Sequence, residues 1–581
     1  MDAHCTSQAR QQLQRGDVGA ALQGLQAALT ASPPWPQSLK LLARLALHQQ
    51  LRALAAQALD VLEHACQDDA EVHALRAAEA KLGGDAAGVE AAARRALALQ
   101  PGDPLATALL AEALRDQLRI EDAIAAANAA IARNPADWGS RLARADARLF
   151  AGDADRAAED ADAATRSTSA LAARQLAALA RLYLDEPASA GEATAAARAT
   201  LDAHQALARG IPPLRLPPPA ALPVPGTRPL RVALLSPDLR RHPVGQFVEP
   251  LLAGHDPARL QLLCFSDGAP DAASARLRTL ATGWHDIRGR SDADVAGLMR
   301  QAGIDVLLDL AGHTSGSRPQ LLASRVAARQ YGWLGYLFDP GFASCDGVIG
   351  DAANLPPGTP SARTALQLPD SFLCHLPPNE APPVAARNDG PVVFGSFNHL
   401  AKLSPRTVAL WTRTVDAVPG SRLALCALGL ADAGTRERIR ARFVAAGLAP
   451  DRLDLWPPVT ARPSDFLALY DRIDIALDPL PFNGGTTTLQ ALWQGVPVLT
   501  RPGVRMAARS GASILRQAGL DDWIADDDAA FVALARRWAT DVDGRRQLRT
   551  TLRERLVDSG LCDARRFANG FAGLLEHHAH P

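Results

Sequence analysis

The chain has 581 residues, 48% hydrophobic and 21% charged, with a net charge of −1. Those values permit several sizeable cores, suggest three or four domains and exclude wholesale disorder. Near-neutral charge also excludes a basic surface spread over the whole molecule, so neither nucleic acid nor a membrane is expected as a partner. Seven scattered cysteines (Cys5, Cys66, Cys264, Cys345, Cys374, Cys426 and Cys562) form no CxxC pair. They read as free thiols in a cytoplasmic protein, not as a disulfide frame or zinc site. The polar stretch from Met1 to Gln12 lacks the apolar centre of a leader peptide, and no apolar run reaches the roughly 18 residues of a membrane span.

Residues 1–165 repeat with a period of 34. Gly16, Gly84 and Gly152 fall on that lattice, as do Pro33, Pro101 and Pro135. Ala9, Ala43, Ala77, Ala111 and Ala145 hold one position of five successive units; Ala21, Ala55, Val89, Ala123 and Ala157 hold another. Each unit predicts two antiparallel helices, with small residues at the crossing, glycine in the turn and proline before the next unit. The pattern resembles a tetratricopeptide array of about five units. Gln50 and Leu118 stand in place of the turn glycine, and Gln67 in place of a proline. Such arrays stack into a superhelix whose concave face takes a peptide or partner protein; a spacer or dimerisation arm is the alternative.

Residues 166–228 read as a helical extension followed by a linker. Alanine-rich helix continues to about residue 210, and the prolines from Ile211 to Pro229 predict an extended, semi-rigid segment. From 229 to 385, short apolar runs alternate with amphipathic helices. Val232–Leu235, Leu262–Phe265, Ile304–Leu310 and Val348–Gly350 predict parallel strands. Leu376–Val384 is a second proline-rich break. A fresh series fills 386–581, with strands over Val392–Phe397, Leu423–Cys426, Leu453–Trp456, Ile473–Leu477 and Pro497–Thr500. Ligands bind at the carboxyl ends of parallel strands, so two such halves create one cleft, which is the GT-B arrangement. No GxGxxG follows the first strand, which lowers the case for a dinucleotide dehydrogenase.

The most informative stretch is Asp478-Pro479-Leu480-Pro481-Phe482-Asn483-Gly484-Gly485-Thr486-Thr487-Thr488. A buried strand runs into a Pro/Asn/Gly loop, and three threonines open a helix ending near Gly495. Glycines let backbone approach a ligand, threonines cap free N–H groups, and a helix N-terminus favours a phosphate. A capped helix after a turn is the plain alternative.

A repeat array joined to this segment and to three others resembles the O-GlcNAc transferase family (glycosyltransferase family 41), especially its bacterial members. The others are Ser236-Pro237-Asp238-Leu239-Arg240-Arg241-His242-Pro243-Val244-Gly245, Asp309-Leu310-Ala311-Gly312-His313-Thr314-Ser315-Gly316-Ser317-Arg318, and Gly395-Ser396-Phe397-Asn398-His399-Leu400-Ala401-Lys402. The resemblance covers nearly the whole chain, with the motifs in order. It implies an all-α tetratricopeptide superhelix followed by an α/β GT-B pair of Rossmann-like domains. It implies inverting transfer of N-acetylglucosamine from UDP-GlcNAc to Ser or Thr of proteins, without a metal or other cofactor, and acceptors held by the repeat groove.

In that scheme Lys402 meets the diphosphate, with Gly484, Gly485, Thr486 and Thr487 on its other side and Gln490 one turn along. His399 would sit beside the uracil or ribose. His242, at a carboxyl end facing the cleft, would accept a proton from the acceptor hydroxyl or orient it, unless Pro243 merely places it in a loop. His313 and Thr314 would touch sugar or acceptor, or stabilise a turn. Asp292-Ala293-Asp294 looks like a metal-binding carboxylate pair but sits at a predicted helix start and reads as capping. His4, His48, His64, His73, His204, His577, His578 and His580 read as solvated. The chain departs from eukaryotic members at Gly485 (histidine there), Gln490 (aspartate) and Ala401 (tyrosine), and it lacks their long insert. Two other readings stay open: a protein N-glucosyltransferase using UDP-glucose, and a repeat scaffold whose cleft binds nucleotide without turnover.

Overall fold

The computed structural model describes residues 1–579 except Pro225, Ala362, Asn379, Asn388, Asp389, Thr460 and Ala461. The chain divides into two compact units. One comprises Met1–Phe150 with Glu159–Ala173, the other Ala151–Ala158 with Arg174–Pro581.

The 34-residue lattice is met helix by helix. First helices begin at Asp2, Pro36, Ala70, Pro104 and Trp138, and second helices at Val18, Arg52, Ala86, Ile120 and Ala154. The alanines of the lattice are buried, from Ala9 at 1% exposure to Ala145 at none, because helix axes cross where a larger side chain would hold them apart. Aspartates at the turns fix several starts: Asp17 accepts the Ala20 amide at 2.8 Å and Asp103 that of Ala106 at 2.7 Å. The turn position has positive φ in all five units, +80° at Gly16, +72° at Gly84 and +77° at Gly152. Gln50 (+55°) and Leu118 (+60°) take the same left-handed conformation despite their side chains. The geometry of the unit overrides the residue, at a steric cost of roughly 1–2 kcal/mol each.

Besides Ala151–Ala158, the second unit contains the end of the Leu171–Arg181 helix, the Ala190–Arg209 helix and two parallel sheets. The first contains β1 (Leu230–Ser236), β2 (Leu260–Ser266), β3 (Gly283–Asp286), β4 (Val306–Asp309), β5 (Arg329–Trp333), β6 (Gly347–Asp351) and β7 (Thr364–Leu368), in the order β3-β2-β1-β4-β5-β6-β7. The second contains β8 (Val393–Ser396), β9 (Arg422–Cys426), β10 (Leu453–Trp456), β11 (Ile475–Leu477) and β12 (Val498–Leu499), in the order β10-β9-β8-β11-β12. Every pair is parallel, and Phe394 lies opposite Ile475. β1 and β4 are buried almost throughout, as strands covered on both faces must be. The chain reverses its winding at β1/β4 and at β8/β11, which leaves a crevice beyond the carboxyl end of each.

The proline-rich segment lies along the first half: the Ser324 hydroxyl accepts the Leu214 amide at 2.8 Å, and Gln320 donates to the Pro212 carbonyl. The last helix, Ala564–Ala579, packs against the first half. Phe571 meets Trp333 edge-on at 4.7 Å, and Arg259 pairs with Glu576 at 2.6 Å. Among the described residues no helix is long and apolar enough to cross a membrane, and all seven cysteines are free.

Candidate active site

Lys402 sits at the β8/β11 reversal, within the second half. After β8 the chain runs through Asn398 to His399, whose Nδ1 accepts the Ala401 amide at 3.2 Å and opens a short turn over Leu400–Lys402. That turn sends Lys402 back across the strand ends. Its Nζ donates to the Asn483 carbonyl at 2.8 Å, lies 3.5 Å from Asn398 Oδ1, and stands 4.6 Å from the centre of the Phe482 ring. Burial pushes the ammonium down from 10.5 to about 8, against the attraction of Asp478. A charge held this way in low dielectric interacts strongly with an incoming anion. Burial, aided by the neighbouring ammonium, holds His399 at about 4, so its ring is neutral at pH 7.

The loop after β11 is locked from beneath. Asp478, 2% exposed, accepts the Gly484 amide and the Thr500 hydroxyl, each at 2.6 Å. Burial raises its pKa. Gly484 has no room for a side chain, since a Cβ would lie 2.5 Å from Thr487 Oγ1; Gly485 faces open space.

The Thr486–Trp493 helix starts without a side-chain cap, contrary to the threonine capping expected from sequence. Two of the three hydroxyls are engaged elsewhere. Thr487 donates to Asn398 Oδ1 at 2.8 Å and Thr488 to the Gly484 carbonyl at 3.0 Å. Asn398 thus ties the two loops together, and an uncapped helix end with its dipole lies beside a lysine.

An open cleft of about 270 Å³ is lined by Gln246 and Glu249 of the first half, by His375 of the connection, and by Phe466, Thr486 and Gln490 of the second. Glu249 pairs with Arg276 inside it. His242 caps the Pro243–Gly254 helix, its Nδ1 accepting the Val244 amide at 3.3 Å with Asp238 3.8 Å away. Burial lowers its pKa, opposed by Asp238.

His313 is not on the cleft wall. It is 1% exposed, its Nε2 donates to the Pro340 carbonyl at 2.8 Å, and its ring packs against those of His204, Tyr336 and Phe342. Thr314 closes a turn onto the Ala311 carbonyl.

Two histidines expected in solvent are buried instead. His204 donates from Nδ1 to the Thr200 carbonyl and accepts the Tyr336 hydroxyl at 2.6 Å, and burial holds it at about 3. His73 meets the Gln67 carbonyl at 2.8 Å. Each lies on the inner face of its helix, where alanine-rich surroundings gave no polarity contrast to reveal it. His580 lies outside the described residues.

Ser291 caps the helix that Asp292 and Asp294 begin, and Asp292 pairs with Arg318 at 2.9 Å. Among the described residues no group of three His, Cys, Asp or Glu side chains is placed to hold a metal ion.

Sequence reading missed Asn398, Asp478 and His375 as site residues. The first two lay inside quoted motifs but are small and common. The third has Nε2 buried without a partner and its ring edge-on to Trp493, which no spacing signals.

Two parallel sheets with a lysine and an uncapped helix at the strand ends define a GT-B glycosyltransferase architecture. The sequence matches the profile of glycosyl transferase family 41 over residues 195–364 and 385–571, and the chain belongs to that family. It is 36% identical over 350 residues to a Petunia hybrida protein named as a probable UDP-N-acetylglucosamine–peptide N-acetylglucosaminyltransferase, SPINDLY, covering 58% of this chain and 37% of that protein. An Arabidopsis thaliana protein of the same name is 35% identical over 353 residues, covering 59% of this chain and 38% of that protein. The chain therefore spans little more than a third of these relatives. Its structure matches a point mutant of Thermobaculum terrenum O-GlcNAc transferase with a TM-score of 0.81 and 31% identity, over 88% of this chain and 97% of that one.

Proposed function

We propose that this chain transfers N-acetylglucosamine from UDP-GlcNAc to Ser or Thr of proteins, with inversion and without a metal. The observation that carries this reading is the Lys402 ammonium facing the uncapped Thr486–Trp493 helix across the Asn398–Thr487 hydrogen bond. Departure of UDP develops negative charge on the diphosphate. A cation on one side and backbone N–H groups on the other are positioned to stabilise it.

His242 is assigned to the acceptor. A neutral ring that accepts at Nδ1 carries its proton on Nε2, so it donates there and orients the attacking oxygen rather than taking its proton. Neutral His399 is assigned to the nucleoside, and Gly484, Gly485 and Gln490 to the donor's phosphate and sugar. His313 and Thr314 support the cleft from behind. The names of the relatives agree with this donor, and the repeat array supplies a surface for protein acceptors.

Thermal unfolding with UDP, UDP-GlcNAc, UDP-glucose and GDP tests the donor. A ligand at 100 times its Kd adds about 2.7 kcal/mol. Stabilisation by UDP and UDP-GlcNAc, unchanged in EDTA, is expected. A requirement for Mn²⁺ or Mg²⁺ would overturn the metal-free reading, and preference for UDP-glucose would favour the N-glucosyltransferase alternative.

A further inference from the structure

We propose that Tyr183, on the turn that follows the Leu171–Arg181 helix, is a positioning residue of the diphosphate site: it holds the Phe482 ring, and Phe482 holds the Lys402 ammonium. The proposal rests on the nucleotide reading above and extends the site to a segment outside both sheets. Tyr183 and Phe482 stack with centroids 5.1 Å apart and planes 18° from parallel, and Lys402 Nζ lies 4.6 Å from the centre of the same Phe482 ring. Phe482 immediately precedes Asn483, whose carbonyl takes the Lys402 proton at 2.8 Å. Ring and carbonyl therefore move as one support. A lysine has four rotatable bonds, and its charge is useful to a diphosphate only where it is held in place.

The turn that carries Tyr183 is unusually well fixed to the second half. Arg505, its side chain 5% exposed, donates to the carbonyls of Arg181 at 2.7 Å and Leu184 at 2.5 Å, and to Glu186 at 3.0 Å. Glu186 also accepts the amides of Val504 and Arg505, and Asp185 that of Arg406 at 3.0 Å. On its other side the neighbouring Ala190–Arg209 helix sends His204 to Tyr336 of the first half. Such anchoring exceeds what a connector requires. Its product is a fixed aromatic wall at the lysine.

The charged and titratable groups facing Lys402 are Asp478 beneath the β11 loop and His399 on its own turn, with the Tyr183 phenol, raised to about 12 by burial, behind the ring. Replacing Tyr183 removes only a phenol that stays neutral throughout the range tested and leaves Asp478 and His399 in place. A change in the lysine's titration therefore reports its hydration.

The test is calorimetry of UDP on the full chain between pH 6.5 and 9.5, for wild type, Tyr183→Ala and Tyr183→Phe. Wild-type affinity is expected to fall above about pH 8, where Lys402 loses its proton. Tyr183→Ala should bind UDP weaker by on the order of tenfold at pH 7, with its alkaline fall moved upward as water reaches the ammonium. Tyr183→Phe should match wild type in both, because the ring alone does the stacking. Should Tyr183→Ala not fold, Tyr183→Leu fills the volume without stacking and should show the same two changes. Wild-type affinity and an unmoved alkaline midpoint in the Ala or Leu variant overturn the proposal while leaving the nucleotide site intact. A wild-type protein that binds no UDP at any pH removes the nucleotide reading, and this proposal with it.

Discussion

Replacing Lys402 by Met should weaken UDP binding and, in the absence of ligand, stabilise the fold. The two effects have one cause. Folding draws the ammonium out of water, lowering its pKa from 10.5 to about 8. At 1.36 kcal/mol per unit the upper bound on that cost is roughly 3 kcal/mol. Partial access of water and loss of the bond to Asn483 reduce the expected gain to about 1 kcal/mol, or about 1–3 °C in Tm. On the ligand side, losing a charge-assisted contact costs about 1.5–3 kcal/mol, roughly 10- to 150-fold in the Kd for UDP. The folded value lies below the unfolded one, so the unfolded chain binds more protons between about pH 8 and 10.5, and wild-type stability gains as pH rises through that window. The Met variant should lose that slope. Calorimetry with UDP and thermal unfolding of the ligand-free protein measure both sides. A Met variant with wild-type affinity, or one less stable than wild type at pH 7, would refute the reasoning.

His242→Asn keeps an acceptor for the Val244 amide but loses Nε2, so transfer should fall about 100-fold with UDP affinity and Tm retained; a wild-type rate would leave His242 as a helix cap alone. Removing residues 1–101, three whole repeat units, should leave the Kd for UDP unchanged and cut transfer to intact proteins more than to short peptides. Equal transfer to both acceptors by the shortened chain would mark the array as a spacer. Gln50→Gly should stabilise the repeats by about 0.5–1 kcal/mol, because an exposed residue at φ +55° is relieved of strain at a smaller entropic cost. Chemical denaturation of the full chain measures it, and a loss of stability would show that the Gln50 side chain contributes more than its backbone strain costs.

What the sequence disclosed depended on periodicity and contrast. The 34-residue lattice of alanines, with glycines and prolines falling on it, located all five helix pairs, and the structure starts each pair on that lattice. Buried runs such as Val232–Leu235 and Ile473–Leu477 located the central strands. The short strands β3, β5 and β7 went unread: Gly283–Asp286 is half-exposed and Arg329–Trp333 begins with a charge, so neither gives an unbroken apolar run. Within the site, Lys402 stood out because lysine is rare in an arginine-rich chain. Asp478 did not, since its role is to satisfy the Gly484 amide from below, and only the folded loop brings the two together. The threonines were read as caps by residue type, yet Asn398 arrives from another strand and takes Thr487 away. His204 was read as solvated for a related reason. Burial of a histidine depends on what packs over it, and here a helix from before the first sheet covers the loop after β4.

The central claim is tested most directly by the product of the reaction. The full chain and a mixture of Ser/Thr-containing proteins are incubated in EDTA with UDP-GlcNAc and, in parallel, with UDP-glucose, and the products are mapped by mass spectrometry with fragmentation that retains the sugar. N-acetylhexosamine on Ser or Thr and release of UDP in equal amount are expected, and neither with Lys402→Met. UDP binding without any transferred sugar, or a hexose on Asn from UDP-glucose in place of the expected product, would contradict it.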